Sequence, residues 1–270
     1  MFREKILNRL AYAATLGQEN IFEVLDFAKD NNFSAVEINL NVPVFFPEKY
    51  NADERRQIKE RVENQGIKLS FHAPEDIPLY HLHPSVRRAG LERLKECIDF
   101  ASQIGGEKIT IHPGESVCFT QTDKKIFLLD IYRDRFANLF HQSLVEIREY
   151  ARGKIMPCIE NVGNFNGMIR NVLGELLAVG DLFLTWDIGH SYGQRDNQEF
   201  FIQNLQYVKN CHIHDHNGVQ DHQVIGDGKI DFIYYLKLLE NLETSFVLEI
   251  RPVGQALISR ERLVEILDKY

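Results

Sequence analysis

At 270 residues, with 44% hydrophobic and 26% charged residues, eight prolines and no low-complexity tract, the chain has the composition of a globular protein able to bury a substantial core. Its formal net charge of −8 excludes binding nucleic acid through bulk electrostatics alone. No run of about 18 apolar residues is present to span a membrane, and the start, Met1-Phe2-Arg3-Glu4-Lys5, lacks the apolar stretch of a secretory signal.

The four cysteines (Cys97, Cys118, Cys158, Cys211) form no CxxC pair and no dense framework. They predict a protein of the reducing cytoplasm.

Short apolar runs alternate with helical patterns from one end of the chain to the other. A first strand is expected over 10–16, followed by a helix over 19–30 that carries Ile21, Val24, Leu25 and Phe27 at helical spacing. A second strand, 33–40, precedes a charged helix, 54–65, with caps available at Asn51 and Asp53 and a stop at Gly66. The third strand is 68–72. Pro84 opens a helix running to 103, and Gly105-Gly106 closes it.

The fourth strand, 108–112, breaks at Pro113-Gly114. Residues 115–125 show no period and read as a long loop placed to act as a lid, before helical periodicity over 126–152. The fifth strand is 154–160 with its helix over 168–179, and the sixth is 182–187 with a helix over 199–204. A seventh follows the apolar run 205–208, and a helix starts near Asp231. The eighth strand, 246–250, is followed by a helix over 258–267.

Eight strand-helix units without a linker imply parallel pairing through crossovers, and hence one (β/α)8 TIM barrel over residues 1–270. No strand leads into a GxGxxG loop, which argues against a dinucleotide-binding sheet.

Chemistry gathers at the strand ends. The second strand carries Glu37, the third His72, the fourth His112 and the fifth Glu160. The sixth carries Asp187 with His190, the seventh His212 with His222 in its loop, and the eighth Glu249. In a barrel these ends converge on one mouth. Three carboxylates there, Glu160, Asp187 and Glu249, conflict: like charges 4 Å apart repel by about 4 kcal/mol at an effective dielectric of 20. A divalent cation resolves this and takes imidazoles as further ligands. Mixed oxygen and nitrogen donors suit Zn, Mn, Co or Mg.

The motifs FHAP at His72, HPG at His112, IEN at Glu160, WDIGH ending at His190, HIHD from His212, DHQVIGDGKIDF from Asp221 and LEIRP around Glu249 resemble those of the xylose isomerase-like barrel superfamily. That superfamily includes sugar isomerases and epimerases as well as the endonuclease IV type of abasic-site nuclease. Resemblance to the sugar enzymes implies one metal held by Glu160, Asp187, His212 and Glu249. The two glutamates would then exchange a proton at a carbon beside a carbonyl.

Resemblance to the nuclease implies up to three zinc ions. His72 and His112 would join Glu160 at one, and His190 with His222 would hold part of the third. The nuclease pattern has an Asp two residues before His222, where this chain has Gln220. Asp221 is one residue out of phase and is expected to point elsewhere. The DIGH form looks more like the sugar enzymes.

The expected function is therefore a metal-dependent isomerase or epimerase of a small sugar-like substrate. A zinc-dependent abasic-site nuclease is the alternative, and only it would bring nucleic acid as partner. Glu37, His190, His214 and Arg251 are candidate substrate contacts, with Glu37 equally suited to a structural salt bridge and Arg251 also able to pair with Glu249. His81 and His83 read as surface groups, His216 as a substrate contact or equally a solvated loop group, and Trp186 as barrel packing. A homo-oligomer is left open.

Overall fold

The computed structural model describes residues 2–163 and 165–270. Its eight principal strands are β1 (Leu10–Ala14), β2 (Ala35–Asn39), β3 (Lys68–His72), β4 (Gly106–Ile111), β5 (Met156–Glu160), β6 (Phe183–Asp187), β7 (Val208–Ile213) and β8 (Ser245–Leu248). They pair in parallel around a closed barrel, each hydrogen-bonded to its neighbours in sequence, with β8 against β1.

Alternation along each strand decides what lies inside. The outward set, including Tyr12, Val36, Ile38, Phe71, Ile109, Ile159, Leu184, Trp186, Ile213 and Phe246, joins the helices in one continuous apolar core. Trp186 stacks on Phe201 (centroids 5.2 Å apart, 13° between planes) and donates from Nε1 to Ser191 Oγ at 2.9 Å. It packs outside the barrel, as expected.

The inward set is small or polar. Ala11, Ala13, Ala35 and Val247 form a separate apolar patch. Beside them Thr110 meets Thr185 across the interior (Oγ1 to Oγ1 2.8 Å), and Asn210 donates to Glu37 at 2.6 Å. A barrel interior is more often filled by branched apolar side chains. Here polar groups fill it, and they run up to the mouth.

Local sequence explains the helices. Asn51 and Glu54 form a reciprocal capping box for the helix Ala52–Gln65. Pro84 sits in the first turn of Pro84–Gln103, which buries Leu91, Leu94, Ile98 and Ala101.

Four expectations change. Residues 115–125 are not without structure: Cys118–Thr120 pairs antiparallel with Lys125–Phe127. The pairing escapes periodicity because the hairpin is largely exposed, Phe119 included. The helix expected over 126–152 begins only at Leu128 and is divided at Tyr132 into Leu128–Ile131 and Arg133–Ala151. The apolar run before β7 is a 3-10 turn, Leu205–Tyr207, and the final helix opens at Val253, just after Pro252. The N-terminal helix Phe2–Leu7, with only Ile6 fully buried, has too short a face to register as a pattern.

Leu184 is fully buried in the outer core. Replacing it by Ala is expected to lower the unfolding free energy by about 3 kcal/mol, from lost transfer energy and the cavity left behind. Urea denaturation checks this, and metal uptake at the mouth should not change because the side chain points away from it.

Candidate metal centre

The inward parity of β3 to β8 delivers one ligand-type side chain from each strand end to the same level. Glu160, at the end of β5, stands at the centre. Its Oε2 lies 2.9 Å from His112 Nε2 and 3.3 Å from His72 Nε2, and its Oε1 lies 2.9 Å from His212 Nδ1. Glu249, one residue past β8, brings Oε2 to 3.1 Å from the same His212 Nδ1. Asp187 Oδ2 is 3.0 Å from His214 Nε2, 3.4 Å from His190 Nδ1 and 4.0 Å from His212 Nδ1.

Three groups of potential ligands result: His72, His112 and Glu160; Glu160, Asp187, His212 and Glu249; and Asp187, His190, His214 and His222. Within each, one ligand atom per residue lies within 4.8 Å of the others. Glu160 is common to the first two groups and Asp187 to the last two. Six strands, β3 to β8, thus bring potential ligand atoms together at one end of the barrel.

A divalent cation fits the middle group on the evidence of one atom. Among the described residues, Glu249 Oε2 is buried and has no hydrogen-bond partner. It is close to His212 Nδ1, but that nitrogen is aligned with Glu160 Oε1. A buried carboxylate oxygen left without a donor is costly unless a cation takes it. The middle group's four residues are all buried, and oxygen and imidazole nitrogen donors suit Zn, Mn or Co.

The charges are mutually adjusted. Burial favours the neutral form of Glu160, but the His212 and His112 imidazoles outweigh it and hold the carboxyl well below its ordinary range. Glu249 is held down in the same way, against burial, by His212 and His222. Asp187 is lowered by His190 and His214 despite burial. The reverse holds for the rings: burial opposes protonation of His72, but Glu160 raises it to about 9, and Glu249 brings His222, also against burial, to about 9. Without metal, protons on the imidazoles balance the carboxylates.

Below the ligands lies a supporting layer that sequence reasoning missed or misplaced. Of the two roles expected for Glu37, a substrate contact or a structural salt bridge, the geometry is that of the second: it is 1% exposed, with Oε1 2.8 Å from His212 Nε2 and Oε2 accepting from Asn210. Inward parity on β2 places it under the ligand layer, where it orients the His212 ring. His214 was expected at the substrate. It is fully buried, with Nε2 toward Asp187 and Nδ1 accepting the His222 backbone N–H at 2.8 Å.

Asp221 was expected to point away. Its carboxylate lies 3.5 Å from His190 Nε2 and 3.1 Å from His222 Nδ1. The left-handed backbone at His222 (φ 53°) breaks the alternation on which that expectation rested.

Other residues were not singled out. Asn161 joins two strand ends reciprocally: its Nδ2 donates to the Asp187 carbonyl and its Oδ1 accepts the Asp187 N–H, both at 2.8 Å. A Cβ at Gly189 would fall 2.0 Å from the His214 ring, so the glycine of DIGH makes room for the second histidine of HIHD.

Asp215 accepts backbone N–H groups from His216, Gly226, Gly228 and Ile230 at 2.8 to 3.1 Å. It gathers the loop after β7, and Gly228 leaves no side chain to collide with it. The HIHD and GDG motifs were visible, but only contact explains their pairing.

Arg251 donates to Glu249 Oε1 at 3.1 Å and is half exposed. His216 stacks on Tyr192 at 4.5 Å, and His81 lies beside His83, away from the three ligand groups. Beside His112 opens a cavity of about 380 Å3, whose lining includes Glu75, Asp76 and Glu115. A second, of about 570 Å3, touches His190 and includes Arg170 and Arg195, which already pair with Asp196 and Glu199.

The sequence profile of the xylose isomerase-like TIM barrel family matches residues 25–266. An uncharacterised protein of Methanocaldococcus jannaschii, MJ1311, is 27% identical over 264 residues, covering 93% of this chain and 86% of that protein. A D-tagatose 3-epimerase-like protein superposes with a TM-score of 0.78 at 24% identity, over 96% of this chain and 97% of that one. Endonuclease IV from Thermus thermophilus superposes with 0.73 at 16% identity, over 97% and 100%. At these identities the two structures share the fold. Among the described residues, no helix is long and apolar enough to cross a membrane.

Two outcomes follow. His72 and His222, raised above the unfolded value near 6.5, contribute stability that is complete below about pH 6.5 and is lost as pH rises through about 9. The metal-free protein should therefore melt at lower temperature at pH 9 than at pH 6.5. Zn2+ or Mn2+ affinity, which requires neutral imidazoles, should rise over the same window. Separately, Asp215→Asn should release the amides of Gly226, Gly228 and Ile230 to hydrogen exchange ahead of the strands, with a stability loss of about 2–3 kcal/mol.

Proposed function

Because the chain belongs to the xylose isomerase-like TIM barrel family, we propose that it is a divalent-metal-dependent isomerase or epimerase of a small, uncharged polyhydroxy carbonyl compound. The observation that carries this reading is the pair Glu160 and Glu249. They are two ionised carboxylates from different strands, within one group whose ligand atoms lie within 4.8 Å of one another.

A bound divalent cation would supply Lewis-acid polarisation of carbonyl and hydroxyl oxygens. Glu160, Asp187, His212 and Glu249 would hold it. Glu160 or Glu249, in its ionised form, takes the proton from the carbon beside the carbonyl. The other, after taking up a proton from solvent, delivers it to the opposite side of the same carbon for epimerisation. For isomerisation it delivers the proton to the neighbouring carbon, with the hydroxyl proton passing to the former carbonyl oxygen. The first glutamate then releases its proton to solvent. Arg251 donates to Glu249 Oε1 and aims that carboxylate. His112 and His190, each partly exposed, line the two cavities where a substrate would enter.

The acidic lining beside His112 supports an uncharged substrate, because Glu75, Asp76 and Glu115 repel a phosphodiester and accept hydrogen bonds from hydroxyl groups. Solved neighbours of the same fold include D-psicose 3-epimerases, one with D-tagatose and one in the presence of D-fructose, which suggests ketohexoses as first probes.

Metal-loaded protein should exchange the proton beside the ketose carbonyl with deuterium oxide. Glu160→Gln and Glu249→Gln, compared at matched metal content, should each lower that exchange by about 100-fold or more. Full exchange in both variants would remove the acid/base assignment.

A second reading is favoured by one observation. His72, His112 and Glu160 make an additional ligand group that a single-metal isomerase does not require. An endonuclease IV-like phosphodiesterase would use it for a further zinc ion. Zinc-loaded protein cutting a duplex at an abasic site, with more than one bound ion per chain by elemental analysis, would select this reading over the first.

A further inference from the structure

The end of the barrel opposite the mouth contains a charged group that the proposed chemistry does not use. Lys108, at the start of β4, points inward and is 4% exposed. Its ammonium donates to the Lys209 carbonyl oxygen at 3.0 Å and to Ser245 Oγ at 2.8 Å. Both acceptors are neutral, and a lysine ammonium has three protons. The carboxylates acting on it, Glu107 and Glu37, do so through space without a hydrogen bond.

A buried ammonium without a counter-ion is costly and is resolved either by losing its proton or by pairing with an anion. Burial indeed pushes the Lys108 pKa down. The surroundings favour the second outcome as well. Lys108 lines a cavity of about 460 Å3, and Lys68, Lys209 and Ser245 line it too.

Lys68 pairs with Glu107 at 3.4 Å, which neutralises that carboxylate. Lys209 lies 5.9 Å from the Phe183 ring and pairs with no carboxylate among the described residues. Arg9, also in the lining, is committed to the carbonyl oxygens of Leu239, Glu240, Leu242 and Thr244, so it adds rigidity more than free donors. Glu243, at the exposed rim, is the remaining acid.

We propose that this cavity at the N-terminal end of the strands is a phosphate-binding site, in which Lys108 Nζ, Ser245 Oγ and the Lys209 ammonium hold a phosphate group, free or carried by a small organic ester. The volume exceeds that of a bare phosphate and leaves room for an ester substituent. The site lies at the far end of the barrel from Glu160 and Glu249 and does not depend on the reaction proposed for them.

Calorimetry on the metal-loaded chain at fixed ionic strength tests the site, using inorganic phosphate and glycerol 3-phosphate as probes. Lys108→Met keeps the buried stem and removes the charge, so it should abolish one binding event per chain. Any phosphate held by metal at the mouth survives that change. Lys209→Ala, outside the packed interior, should weaken the same event about tenfold, the scale of one charge-assisted hydrogen bond. Tighter binding of the ester than of inorganic phosphate assigns the site to phosphorylated small molecules, and the reverse assigns it to the free ion. Equal stoichiometry in wild type and Lys108→Met, or no binding of either probe, overturns the proposal.

Discussion

One imidazole sits among three carboxylates. His212, fully buried, has Glu37 on its lower nitrogen and both Glu160 and Glu249 on its upper one. A ring nitrogen directs one hydrogen at a time, so among the described residues Glu249 Oε2 is left without a donor. That single shortfall explains why the mouth calls for a cation, and it ties the floor of the site to its ligands. Glu37 in turn is held by Asn210 and Thr110. The polar interior of the barrel is the foundation of the site and is built in the same parity.

The loops above are arranged to keep Asp187 and the histidines in register. Asn161 joins the ends of β5 and β6, Gly189 admits the His214 ring, and Asp215 gathers the loop that carries Asp221 and His222. None of these touches a substrate in the proposed chemistry. Each removes a degree of freedom from a potential ligand or its neighbour, which is how a buried site keeps its ligands in place.

Charge is distributed along the barrel axis with purpose. Carboxylates dominate the mouth and its larger surroundings near His112, whereas lysines gather at the opposite end around Lys108. The two ends therefore present opposite charge from one fold.

Much of this was legible beforehand. Eight alternating units determined the barrel, because parallel strands need crossovers and the chain supplies a helix for each. Glu160, Asp187, His212 and Glu249 were legible because each ends a strand, and strand ends in such a barrel share one mouth. The exposed hairpin at Cys118–Thr120 left no periodic trace, since neither face is buried. Glu37 and His214 carry the right chemistry at strand ends, yet only the packed barrel shows one lying under His212 and the other closed off beneath His222. Asp221 turned on a single left-handed residue. By itself the sequence determined which side chains reach the mouth. The tertiary structure decided which of them face a ligand and which hold the others in place, because depth along the barrel axis depends on contacts between strands that no local pattern records.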